Sequence, residues 1–233
     1  MKNLLTILAI FLATSVFAAK PTHKYVRIKT SQGECVIMLY NATPQHRDNF
    51  LKLAKEGFYN GTLFHRVIQN FMIQGGDPDS KTAKPGQALG EGDLGYMVPA
   101  EFRSDLFHKK GVLAAARDNN PAKSSSASQF YIVQGKTFTD AQLDMIETQR
   151  LQGRKIPAEH REVYKTLGGT PHLDQNYTVY GEVVRGLEMV DRIAAVKTSK
   201  ADRPEEDVKM EVSVLKKREA RKLEKSLGLK DRP

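Results

Sequence analysis

Residues 64–77 read Phe64-His65-Arg66-Val67-Ile68-Gln69-Asn70-Phe71-Met72-Ile73-Gln74-Gly75-Gly76-Asp77. Two short runs rich in β-branched and aromatic side chains, Leu63–Ile68 and Phe71–Gln74, enclose the polar pair Gln69-Asn70, which is the pattern of a tight hairpin. Alternation puts Arg66 and Ile68 on one face of the first strand. In the second, Phe71 and Ile73 share a face and Met72 and Gln74 take the other. Gly75-Gly76 closes the run where the backbone needs a positive φ or a close approach by another segment. One arginine thus sits among aromatic, thioether and amide groups with no nucleophile, a composition suited to catalysis by binding rather than by bond-making. Periodicity alone serves a plainer account equally well: Phe64, Val67, Phe71 and Ile73 as core, and Arg66 as a surface charge whose stem covers apolar area.

The sequence around this hairpin is β-rich. Val26–Lys29 and Cys35–Leu39 flank Thr30-Ser31-Gln32-Gly33 and read as a further hairpin. A helix follows, with Thr43 as N-cap, Pro44 as first residue, Phe50, Leu53 and Ala54 on one apolar face, and Gly57 as its stop. Thr178–Val184 and Val208–Leu215 read as strands separated by a helix around Leu187–Ala194. Strands, two helices and strands again predict a closed antiparallel sheet.

The ordered string 64–77 closely resembles the signature of the cyclophilin family of peptidyl-prolyl cis/trans isomerases. Gly111-Val112-Leu113-Ala114-Ala115-Ala116-Arg117, then Ser128-Gln129-Phe130-Tyr131-Ile132-Val133, is similar to the family's paired central segments, with the serine-rich loop Ser124–Ser128 between them. His172-Leu173-Asp174, then Tyr180-Gly181-Glu182-Val183, resembles its closing pocket wall and last core strands. The three blocks keep the family's order over residues 24–215. The resemblance implies a mainly β fold, a closed eight-stranded antiparallel barrel capped by two helices.

It also implies a chemistry. Rotation about an X–Pro bond has a barrier of about 20 kcal/mol because the amide loses resonance when twisted, while the end states differ by about 1 kcal/mol. No bond breaks, so a catalyst needs a desolvated pocket for the proline ring and a donor that favours the twisted amide. By resemblance Arg66 is the catalytic donor, permanently charged and planar. Phe71, Met72, Tyr131 and Leu173 form the proline pocket, and Gln74 and Gln129 orient Arg66 or the peptide. Ala116 and Arg117 face the extended chain, and His172 lies at the rim. Several positions depart from a typical animal member: Tyr131 stands for phenylalanine, Arg117 for asparagine, His172 for tryptophan and Tyr177 for histidine. Loss of the tryptophan implies weak binding of cyclosporin-type inhibitors. The rival reading is a holdase or peptide-binding module on the same fold.

Between Phe138 and Gly169 the chain carries about thirty residues where a short loop would suffice. Thr139 to Gln149 reads as a helix with a Thr139/Gln142 capping box, and Pro157 opens a second one carrying Val163, Tyr164 and Leu167. This insertion either overhangs the groove or packs on the barrel as a surface subdomain.

The whole chain of 233 residues is 40% hydrophobic, enough for one sizeable core. Residues 1–18 read as a signal peptide, with Lys2 before the apolar run Leu4–Phe17 and small residues at Val16–Ala19. Export then implies the periplasm of a two-membrane bacterium, and clients that are unfolded or extended proline-containing polypeptides. The domain is expected over 19–215, and Lys216–Pro233 is a basic tail holding eight Lys and Arg against three acidic residues, within a net charge of +9. The tail reads as a solvated, fraying helix or as a dock for an anionic membrane surface or acidic client. It lacks interleaved aromatics, so nucleic acid is not expected. Cys35, the single cysteine, reads as a buried hydrophobe. The six histidines show no ligand spacing, so no metal or cofactor is expected. A hydrolase built on His65 with Asp77 or Asp79 lacks a Gly-x-Ser-x-Gly elbow; His65 reads as a hydrogen-bonded structural residue. A monomer is expected.

Overall fold

Two hairpins and two capping helices build the body of the molecule, which a computed structural model describes for residues 23–228. The expected signal peptide and the last five residues of the tail lie outside the described residues. In chain order the elements are β1 (Lys24–Thr30), β2 (Gly33–Leu39), α1 (Pro44–Lys55), β3 (Phe64–Ile68), β4 (Met72–Gly75), β5 (Met97–Val98), β6 (Val112–Ala115), β7 (Ser125–Ser126), β8 (Phe130–Val133), α2 (Asp140–Gln149), α3 (Ala158–Thr166), β9 (Val179–Arg185), α4 (Glu188–Ala194), β10 (Glu211–Val214) and α5 (Lys217–Leu227). Eight strands form one antiparallel sheet in the order β10-β1-β2-β9-β6-β8-β4-β3, and β5 pairs with β7 apart from it. The sheet curls until its two edges meet, not along a full ladder but at the isolated bridge Leu63↔Lys209, with Phe64 N–H donating to the Val208 carbonyl at 3.0 Å.

Period-2 alternation explains the layering. Val26, Ile28, Cys35, Ile37, Leu39, Leu113, Phe130 and Ile132 point inward and join Phe50 and Leu53 of α1 and Val190 and Ile193 of α4 in one core. Their neighbours Tyr25, Val36, Met38, Val112, Ala114, Tyr131 and Val133 point outward into a second apolar layer. This double use is why β6 and β8 are apolar at every position. Burial pushes the Cys35 thiol up to about 12, so it packs as a hydrophobe.

Three expectations need correction. Phe71 does not share a face with Ile73; it joins Met72 and Tyr131 in the outer layer. The strand starts only at Met72, and Asn70 in the left-handed region (φ 63) frees Phe71 from alternation. Thr43 occupies the N-cap position of α1 without capping it, and its hydroxyl is buried and unpaired. Glu101 does that work from across the chain, its carboxylate accepting from the N–H groups of Gln45 at 3.1 Å and His46 at 2.9 Å. Thirdly, the tail is not a solvated helix over its described length. Ala220 and Leu223 of α5 are buried in the outer layer, and Glu224 accepts from the Tyr25 hydroxyl at 3.2 Å.

The insertion forms both expected helices. The Thr139/Gln142 capping box is present, and Leu143, Leu151, Ile156 and Tyr164 make a small core of their own. Gly169 closes it at φ +157, passing so near the His108 carbonyl that a side chain there would collide with it.

Candidate active site

Register assembles the site on the outer face. Arg66 pairs with Gln74 across β3 and β4, Gln74 with Tyr131 across β4 and β8, and Tyr131 with Ala114 across β8 and β6. These residues therefore form one row, each about 5 Å from the next strand. A bulge at His65 lets Phe64 and Val67 both face the core while Arg66 faces out. At the far end of β4, Gly76 takes φ +89 against the Ser128 carbonyl, the close approach its sequence called for.

The row borders an open cleft of about 290 Å³. Met72 and Tyr131 form its floor, Phe71 and Leu173 its apolar side, and Arg66 and Gln74 its polar edge. The Arg66 side chain is 45% exposed; its Nη1 donates to Gln74 Oε1 at 3.4 Å and its Nε lies 3.9 Å from Asp202. Gln74 Nε2 donates to Gln129 Oε1 at 3.1 Å, and Gln129 Nε2 donates to the carbonyls of Gly90 and Gly92, both at 2.8 Å. The Gln129 amide is thus wholly engaged. It ties the 90–92 loop to Gln74 and so to Arg66.

Ala116 and Arg117 line both this cleft and an adjoining hollow of about 560 Å³ edged by Tyr96 and Met97. Arg117 is held in place: its Nε donates to the Asn176 carbonyl at 2.8 Å and its guanidinium lies 4.7 Å from the centre of the Tyr177 ring. His172 is not part of the cleft lining. It stacks on Phe71 at 5.6 Å and braces that wall from outside, and burial holds its imidazole below the usual range. Tyr131 does not leave its hydroxyl in the cleft either; His108 Nε2 stands 2.9 Å from it.

Sequence reasoning passed over five contributors, Tyr177 of the cleft lining among them. Leu89, Gly90 and Glu91 edge the cleft from a glycine-rich loop whose only signal was its glycines, and His65 reaches it from the bulge. His65 is 3% exposed and neither ring nitrogen has a hydrogen-bond partner, against the expectation of a bonded structural histidine. Desolvation pushes its pKa down to about 4, so it is neutral at pH 7. Asp77 accepts instead from the N–H groups of Asp79 and Gly90, so no carboxylate orients His65 as a base. A serine–histidine–carboxylate string does exist: Ser125 Oγ is 3.0 Å from His46 Nε2, and His46 Nδ1 is 2.7 Å from Glu101. Ser125 and His46 are buried, and Glu101 caps α1. This string fastens a helix end and lines neither the cleft nor the hollow beside it. Among the described residues no group of His, Cys, Asp and Glu could hold a metal ion.

An eight-stranded curled sheet with helices over its ends, and an arginine beside an apolar cleft on its outer face, defines a cyclophilin-like protein. The profile of the cyclophilin type peptidyl-prolyl cis-trans isomerase/CLD family matches residues 25–214, and the chain belongs to that family. A Staphylococcus aureus protein provisionally named peptidyl-prolyl cis-trans isomerase is 35% identical over 187 residues, covering 80% of this chain and 88% of the relative. A Streptococcus pyogenes protein provisionally named a bifunctional phosphatase/peptidyl-prolyl cis-trans isomerase is 38% identical over 189 residues, and the chain spans only 37% of its length. The crystal structure of a Cryptosporidium parvum cyclophilin type peptidyl-prolyl cis-trans isomerase superposes with a TM-score of 0.62 at 22% identity, covering 83% of this chain and 98% of that one. The same protein crystallised in the presence of the dipeptide Ala-Pro gives 0.58.

Proposed function

We propose that the protein accelerates cis/trans rotation about X–Pro bonds in extended polypeptides, and that its clients are exported chains met in the periplasm. The observation that carries the reading is the row Arg66–Gln74–Tyr131. It sets a permanently charged donor at the polar edge of a cleft whose floor is Met72 and Tyr131. A proline ring resting on that floor leaves its carbonyl or its nitrogen within reach of the guanidinium, which favours the twisted amide over either planar state. Gln74, itself held by Gln129, biases the guanidinium toward the cleft edge through one hydrogen bond. The adjoining hollow, past Ala116, gives the residues before proline somewhere to lie. The exposed Lys217, Arg218, Lys222 and Lys225 of α5 favour contact with anionic surfaces or acidic clients as an accessory role.

The test is cis-to-trans isomerisation of an X–Pro tetrapeptide by the mature protein and by Arg66→Ala. Substoichiometric wild type should catalyse it, and the variant should lose about 100-fold or more in kcat/KM, while its unfolding free energy stays within about 0.5 kcal/mol of wild type because the side chain is half exposed. A wild type that only suppresses aggregation, near equimolar amounts, would make the protein a binding module. Export is tested separately, by the N-terminus and compartment of the protein recovered from its native cells.

A further inference from the structure

No residue of the α2–α3 insertion lines the cleft, yet the insertion holds what lies beneath it. Asp174 is buried directly after Leu173 of the cleft wall. Its Oδ1 accepts from the His108 backbone N–H at 2.8 Å and stands 2.9 Å from His108 Nδ1, while its Oδ2 accepts from the Tyr164 hydroxyl of α3 at 2.8 Å. Arg154, between the two helices, donates to the Asp174 carbonyl at 2.7 Å. On the other side of the imidazole, His108 Nε2 meets the Tyr131 hydroxyl at 2.9 Å. Tyr164, Asp174, His108 and Tyr131 therefore form one buried line from the insertion to the cleft floor.

The line has a polarity. In the neutral imidazole a carboxylate against Nδ1 keeps the proton there, which leaves Nε2 as acceptor and makes the Tyr131 hydroxyl the donor. The hydroxyl proton is thus directed away from the cleft. The ring is fixed as well, lying within 13° of the His108 plane and edge-on to Tyr177 at 5.9 Å. Phenylalanine at 131 would have no use for this chain of bonds, and a chain without the insertion would lack Tyr164 and Arg154.

We propose that the insertion is a positioning element for the proline pocket: Tyr164 and Arg154 act through Asp174 and His108 to hold Tyr131 in the attitude that receives the proline ring. The proposal rests on the isomerase reading above. Because the floor touches planar and twisted states alike, loosening it should raise KM and leave kcat nearly unchanged.

Tyr164→Phe in the full chain removes one hydroxyl and keeps the ring. It should raise KM for the tetrapeptide about fivefold, with kcat within about twofold of wild type. Combined with Tyr131→Phe it should add nothing further, because the line then ends before the floor. Glu159→Gln, at an exposed position of the same helix, should leave both constants alone. Nitrogen-15 NMR of the His108 ring should show the Nδ1-protonated form and move in Tyr164→Phe, a readout independent of catalysis. Arg154→Gln gives the same test if Tyr164→Phe does not fold. Unchanged KM, an undiminished effect of Tyr164→Phe in the Tyr131→Phe background, or an Nε2-protonated His108 would each overturn the proposal. A wild type that binds peptide without isomerising it would refute the isomerase reading alone, and the cycle would then be read in peptide Kd.

Discussion

Phe130 and Tyr131 are neighbours in β8, both almost wholly buried, and they serve opposite faces of one sheet. Phe130 stands edge-on to Phe50, Tyr59 and Phe64 in the interior, where volume and apolar contact are all that matter. Tyr131 faces outward, and what holds it is a hydrogen bond to a histidine that is itself bonded to a carboxylate. The inner face is filled by packing, whereas the outer face is wired by polar groups from distant segments: Gln129 to the 90–92 loop, Arg117 to Asn176, His108 to Asp174. One parity of the strands thus carries stability and the other carries the cleft.

Substitutions should separate along that line. Phe130→Ala removes a ring from the centre of the core and should cost about 3–5 kcal/mol in denaturant unfolding; whatever remains folded should keep its KM. A cost under about 1 kcal/mol would break the comparison, since the interior would then tolerate a void of that size. His65, at the bulge between the faces, adds a dependence on pH. Its folded pKa of about 4 lies below the ordinary 6.5, so between these values the unfolded chain binds a proton that the folded chain refuses. Stability should fall as pH drops from 6.5 to 4, by about 3 kcal/mol from this residue, with no further loss from it below 4. His65→Asn should flatten that slope in unfolding curves taken at several pH values; an unchanged slope would assign the acid sensitivity elsewhere. Glu101→Gln should show the smallest effect, about 1–2 kcal/mol from the weakened α1 cap, with kcat and KM unmoved because neither Glu101 nor His46 lines the cleft or the hollow beside it. A changed KM there would join the cap to the site.

What the sequence disclosed was local. The hairpins, α1, α4 and both insertion helices carry their signals within a few residues: turn pairs, Pro44, Gly57, the Thr139/Gln142 box and Pro157. The row Arg66–Gln74–Tyr131 could be assigned through family resemblance, but only register shows that it is a row. The failures were long-range. Glu101 replaces Thr43 as cap from a position far along the chain, and a polar residue that finds such a partner leaves no periodic trace. His108 and Asp174 are likewise far apart in sequence, so their bond was invisible until the fold brought them together. The narrow stripe Ala220–Leu223–Leu227 of α5 resembled a solvated helix because its contribution is small unless Tyr25, Val36 and Met38 wait to receive it. Phe71 was misplaced since alternation was extended one residue into a turn.

The pairing of β1 with β10, Val26 opposite Val214, has a further consequence for the life of the chain. Among the described residues, β1 is the first strand to be synthesised and β10 the last, so its open edge stays uncovered until then, and the closing bridge from Leu63 to Lys209 waits almost as long. Long-range pairing of this kind is slow, and the waiting edge is adhesive. Truncation that removes β10 should therefore leave β1 with an unprotected edge rather than give a smaller working barrel.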